Sequence, residues 1–249
     1  MTRRYRPIHH VLPQPIGPWK AADTPDSPYD SPRALSETGL PSVTLFRPIS
    51  YEAKYPYPLL VWLFGSRDDD AALLGLMSQV STRNFGAVGL SGAPATLAQW
   101  SGDAFDPDFD LDADDGDADL ELFSAIRFAR RRMHVHSERI FLVGVGDGGT
   151  AALQVGLAYS DCFAGVAALG GEFPPPHARP LAGWRRAQRL PVFFAHRTGR
   201  VDAAEEQYVA TRRLLHAAGL SVESHFFRSR EVPSRILEQL NRWVMTRMT

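Results

Sequence analysis

Residues 139–151 read RIFLVGVGDGGTA. Arg139 to Val143 form an apolar run of strand type. The run breaks into Gly144-Val145-Gly146-Asp147-Gly148-Gly149, and a segment of helical composition follows. A strand, a glycine-dense turn and a helix in direct succession mark a place where chemistry is often mounted. Helix-terminal amides and a strand end meet there. Two patterns fit the same six letters. As G-x-G-x-x-G they form a dinucleotide fingerprint, whose glycines let a pyrophosphate approach the helix N-terminus. As G-x-S-x-G they form a nucleophile elbow in which Gly146 stands at the serine position.

Composition narrows the setting. The 249 residues suffice for one sizeable α/β domain, and 44% apolar with 22% charged residues is ordinary for a soluble globular chain. A formal net charge of −1 gives no global basic field, so nucleic acid and membrane are not expected partners. One cysteine, Cys162, excludes an internal disulfide framework and fits a reducing compartment. The opening MTRRYRPIHHVLPQPIGPW lacks the apolar stretch of a secretory signal, and no apolar run is long enough for a membrane span. A cytoplasmic location is the expectation.

Pro13, Pro15, Pro18, Pro25, Pro28 and Pro32 block helix and central strand, so residues 1–41 are expected to form an extended arm. Residues 42–249 carry the regular pattern. SVTLFRPI reads as an edge-type strand. PLLVWLFG, FGAVGLSG, RIFLVG, FAGVAALGG, PVFFAHR and VESHFFR read as further strands. Helical periods lie between them: ALLGLMSQVSTR, ADLELFSAIRFARRRMHV, TAALQVGLAYS, AEEQYVATRRLLHAAG and PSRILEQLNRWVMTR. Continuous apolar strands alternating with helices predict a doubly wound α/β fold, with a mostly parallel sheet covered on both faces.

The position of the glycine turn weighs against the dinucleotide pattern. That fingerprint normally opens the first βα unit, with an acid about 20 residues on. Here roughly four strands precede the turn, and Glu172 could pass for that acid only at slightly long spacing.

Over about residues 42–247 the chain resembles the α/β-hydrolase family, in particular its small phospholipase/carboxylesterase-like branch. Tyr57-Pro58-Leu59-Leu60-Val61-Trp62-Leu63-Phe64-Gly65 is similar to the family strand ending in His-Gly, with phenylalanine in place of histidine. Arg139 to Ala152 resembles the strand–elbow–helix, and Pro191 to Arg200 resembles the segment that carries the triad acid. Phe226 to Val232 stands where the family has its triad histidine.

The resemblance implies an α/β-hydrolase fold with a degenerate triad. Gly146 stands at the nucleophile position, Arg200 at the acid and Arg230 at the histidine, while Phe64, Gly65, Ser66 and Asp147 form the oxyanion-hole region. Acyl transfer needs a nucleophile, a base and a group that orients the base. Glycine has no side chain, and a guanidinium with a pKa above about 12 is no base at neutral pH. The implied protein is a non-catalytic binding or regulatory pseudohydrolase that needs no cofactor. A small molecule or protein would sit in the old cleft near Asp147, Arg200 and Arg230. The two arginines are expected to lie together, paired with Asp147, Asp202 or Glu231. One alternative is a rearranged ester hydrolase using Asp147 as nucleophile or acid, although none of His177, His196 and His225 lies in the loop after the last strand, where the base should sit. The other is a dinucleotide binder at the GVGDGG turn. Asp147 reads more simply as a cap of its helix.

Other polar clusters have plain readings. Asp110, Asp112, Asp114 and Glu121 approach calcium-loop spacing, but Asp115 occupies the position that requires glycine. A solvated acidic loop over 106–119, leading into the next helix, is the expectation. Arg127, Arg130, Arg131 and Arg132 suit a helix C-terminus, and Phe128, the lone aromatic among them, makes no stacking series. His9-His10 and His134-x-His136 lack further ligands at metal spacing.

Overall fold

A computed structural model describes residues 29–30, 43–65, 70–91, 121–172, 188–198, 213, 216 and 219–248. Its strands are β1 (Tyr29–Asp30), β2 (Val43–Phe46), β3 (Tyr57–Leu63), β4 (Gly86–Leu90), β5 (Val135–Val145), β6 (Gly165–Leu169), β7 (Val192–Arg197) and β8 (Val222–Phe227). Four α-helices appear among the described residues: α1 (Asp70–Val80), α2 (Glu121–Arg132), α3 (Asp147–Ala158) and α4 (Ser234–Met245). The strands form one sheet in the order β1-β2-β4-β3-β5-β6-β7-β8. From β4 to β8 every neighbouring pair is parallel, while β1–β2 and β2–β4 are antiparallel. This is the doubly wound, mostly parallel sheet that the sequence predicts.

All seven residues of β3 are buried, which explains why its sequence reads as an unbroken apolar run. Alternate side chains divide between two cores, as the two-residue period of a strand dictates. Leu59, Val61 and Leu63 join Ile140 and Leu142 beneath α2 and α3. Leu60 and Trp62 join Phe141 and Val143 beneath α1 and α4. Trp243 anchors α4 on that second face, its ring 5.9 Å from Phe141 and 5.7 Å from Phe193.

Two expectations change. SVTLFRPI was expected at an edge, yet β2 lies inside the sheet, because Tyr29 and Asp30 of the arm pair with Phe46 and Leu45 on its outer side. The strand RIFLVG begins earlier than its apolar letters, at Val135, opposite Tyr57. The polar residues His136, Ser137, Glu138 and Arg139 hide that extension, and they fall where the β3–β5 register is irregular. The helix expected over AEEQYVATRRLLHAAG lies almost entirely outside the described residues.

Candidate functional site

The chain moves from β3 to β4 on one side and from β5 to β6 on the other. The C-terminal ends of β3 and β5 therefore flank the point where the winding reverses. In an open parallel sheet that is where the crevice lies. Phe64-Gly65 and the 144–149 turn, the two segments singled out in the sequence, both open onto it.

Gly146 is the tip of the β5–α3 turn. It has φ 55° and ψ −123° and serves as the N-cap of α3 without a side-chain cap. A side chain in this conformation is strained, and glycine removes the strain. A Cβ built on Gly146 meets no atom within 4 Å, so the position presents itself to open space. Its amide donates to the Leu169 carbonyl at 2.9 Å, and its carbonyl accepts from Gly149 at 2.9 Å and Thr150 at 3.3 Å.

The other glycines of the turn serve close backbone packing. A Cβ on Gly144 would strike the Gly148 carbonyl, and one on Gly148 would strike the Leu63 carbonyl. One on Gly171 would lie 2.6 Å from the Thr150 nitrogen. Glu172, the candidate ribose acid, is exposed, and its amide donates to Thr150 Oγ1 at 2.9 Å. These contacts account for Gly144 and Gly148 through the chain itself, with no ligand needed.

Asp147 is not the cap. It is the first residue of α3, exposed, and its carboxylate lies in the turn where the helix dipole favours negative charge. The amides of Asp147 and Gly148 belong to the first turn, which lacks carbonyl partners within the helix. Phe64 differs from the histidine of the resembling family in where its ring goes. It is buried at 2% exposure, stacks on Trp62 at 6.1 Å and crowds Gly89. Its amide is engaged with the Leu90 carbonyl at 3.0 Å. Gly65 is half-buried beside it, and Ser66 lies outside the described residues.

Arg230 is exposed in the bend after β8. Arg197 holds that bend through a long hydrogen bond, Nη1 to the Arg230 carbonyl at 3.4 Å. Thr198 pins its base, donating from both N and Oγ1 to the Phe227 carbonyl at 2.8 and 3.2 Å. The Phe227 ring in turn packs against Gly170, whose φ is 75°. Gly146, Gly171, Gly170 and the 227–230 bend thus form a connected rim. Among the described residues neither Asp147 nor Glu231 pairs with the Arg230 guanidinium, contrary to expectation. Arg200, Asp202, His177 and the 106–119 loop lie outside the described residues. Arg197 is a rim residue that sequence reasoning passed over; its signal was an arginine directly after His196, where the resembling segment has glycine.

Of the histidines named as partners for Asp147, the two among the described residues make other contacts. His225 Nε2 lies 3.0 Å from Glu223 Oε1, with its ring 4.7 Å from Phe193. His196 stacks at 6.2 Å on Phe194 and meets Phe226 edge-on at 6.3 Å. Among the described residues no three His, Cys, Asp or Glu groups are arranged to hold a metal, and no helix is long and apolar enough to cross a membrane.

The fold has many solved counterparts. An S-formylglutathione hydrolase, FrmB from Staphylococcus aureus, superposes with a TM-score of 0.61 at 13% identity, over 89% of this chain and 96% of that one. This chain has the α/β-hydrolase fold. A carboxylesterase from Bacillus cereus matches at TM-score 0.57 and 15% identity, over 86% and 97% of the two chains. Est1E from Butyrivibrio proteoclasticus matches at 0.57 and 10%, over 89% and 99%. No family profile matches the sequence, and no curated protein matches it. At these identities the hydrolase likeness is one of fold.

Proposed function

We propose that this chain is an esterase-like α/β-hydrolase-fold protein that has lost its Ser-Asp-His triad. It acts by binding a small molecule or a protein in the former active-site crevice. One observation carries the reading. At the tip of the β5–α3 turn the backbone is shaped to present a side chain into open space, and the residue there is Gly146. Without a nucleophile no acyl-enzyme forms. Arginine at position 230 puts no neutral base at the place of the triad histidine. The bare amides of the first α3 turn and the nearby arginines favour a ligand with negative or strongly polar oxygen atoms.

The test is a purified, host-esterase-free sample examined with a fluorophosphonate probe and a broad panel of acyl esters. The expected result is neither labelling nor turnover. Repeated turnover on any acyl ester would overturn the proposal. For the dinucleotide alternative, NAD at about millimolar concentration would raise Tm by mass action if it bound the native state. No shift is expected.

A further inference from the structure

The opposite end of the sheet, where the parallel strands begin, carries a different surface. Ten of the 28 acidic residues fall within 103–121, a stretch with no lysine or arginine. A whole-chain charge of −1 therefore leaves the remaining residues at +9. Much of that excess gathers where β3 and β5 start. Arg47 follows β2, Lys54 precedes β3, Arg83 precedes β4, Arg131 and Arg132 end α2, and Arg139 lies in the first part of β5. The acids of the same end include Glu52, Glu138 and Asp161, so these six cations outnumber them among the described residues.

The fold gathers three tyrosines of the YEAKYPY segment against His134. The His134 amide donates to the Tyr51 hydroxyl at 2.6 Å, across 83 residues of chain, and the His134 carbonyl accepts from the Tyr57 amide at 2.8 Å. Tyr57 meets Tyr51 at 5.3 Å and Tyr55 edge-on at 4.7 Å. His134, which Tyr51 and Tyr57 bond, follows Arg132 by two residues, so the tyrosines and the end of α2 belong to the same end of the sheet. Tyr55 is 48% exposed, and Lys54 next to it is exposed as well. Phe128, the one aromatic among the α2 arginines in sequence, is buried with Arg132 over its ring at 4.9 Å. His136 lies at the same end, and its pKa is lowered by burial first and by Arg139 second.

Arginine forks and lysine suit phosphate oxygens, and an exposed aromatic ring gives a base a surface to stack on. An acidic peptide would use the cations and leave the ring idle. We propose that this basic, tyrosine-bearing end of the sheet docks single-stranded nucleic acid, with phosphates on Lys54 and Arg131 and a base stacked on Tyr55. The near-neutral formal charge, which weighs against such a partner, includes the ten acids of 103–121.

The test is fluorescence anisotropy with labelled oligo-U and oligo-dT of about 16 nucleotides, at roughly 50 and 200 mM salt. Saturable binding that weakens with salt is expected. Tyr55→Ala should weaken it about fivefold or more, as the loss of one stacked base does. The double variant Lys54→Glu, Arg131→Glu should weaken it further and flatten the salt dependence. Arg228→Glu, on the opposite end, should leave it unchanged. All four positions are exposed, and unchanged circular dichroism and Tm confirm that folding is intact. Failure of both oligonucleotides to bind at the lower salt would overturn the proposal. So would affinities indifferent to the Lys54, Tyr55 and Arg131 changes, or displacement of the oligonucleotide by equimolar polyglutamate or phosphatidylserine vesicles.

Discussion

The Cβ that Gly148 lacks would overlap the carbonyl oxygen of Leu63, so the first turn of α3 rests directly on the end of β3. Both walls of the crevice are thereby set by backbone contact, with no side chain between them. The glycines of the turn do two different jobs. Gly144 and Gly148 permit close approach, whereas Gly146 permits a left-handed conformation in free space.

These two roles predict different costs. Gly146→Ala should destabilise by about 1–2 kcal/mol, the strain of an L-residue at positive φ, with no clash added. Gly144→Ala and Gly148→Ala must displace backbone and should cost about 3 kcal/mol or more, or prevent folding. Urea unfolding midpoints rank the three. Equal losses at all three positions would contradict the distinction.

Much of this was legible in the sequence because it depends on local pattern. Seven consecutive apolar letters in YPLLVWL can be covered only from both sides, which dictates a central parallel strand. The glycine spacing in GVGDGG fixed the turn. What escaped depends on contacts across the chain. Tyr29 and Asp30 lie among prolines, yet they cover β2 and make it interior. Phe64 looked like a substituted catalytic element, and its ring proved to be core packing on Trp62. Asp147 looked like a cap, but the N-cap position falls one residue earlier because Gly146 already has non-helical geometry. The Tyr51–His134 bond joins segments 83 residues apart, a separation no local pattern reveals.

Restoring the serine alone should not restore chemistry. In Gly146→Ser the hydroxyl would project into the crevice, since nothing lies within 4 Å of its Cβ. It would still face Asp147, whose charge opposes an oxyanion, and would find Arg230 where the triad histidine should take its proton. We expect no fluorophosphonate labelling of Gly146→Ser, and slow labelling at most when Arg230→His and Arg200→Asp are added. Arg230→Ala itself should change stability by no more than about 0.5 kcal/mol, because its exposed guanidinium pairs with no carboxylate among the described residues. Rapid labelling of the single serine variant would show that a base had been overlooked.

The base of the sheet should impose two pH dependences of opposite direction. Burial raises the pKa of Tyr51 above its ordinary 10.0, outweighing the His134 amide bond that lowers it. The folded protein then keeps this proton where the unfolded chain releases it. Stability from this group is complete below about pH 10 and is lost as pH rises through the folded value. His136 is lowered below its ordinary 6.5 by burial and then by Arg139. There the unfolded chain takes up the proton first, so stability is complete above about pH 6.5 and is lost as pH falls through the folded value. Urea midpoints measured from about pH 5 to pH 11 should therefore decline at both ends. Tyr51→Phe should start lower, having lost the His134 bond, yet fall less steeply on the alkaline side. His136→Gln should flatten the acid side alone. If the midpoint difference between His136→Gln and the parent chain stays constant from pH 8 down to pH 5, neither burial nor Arg139 lowers the His136 pKa in the folded chain.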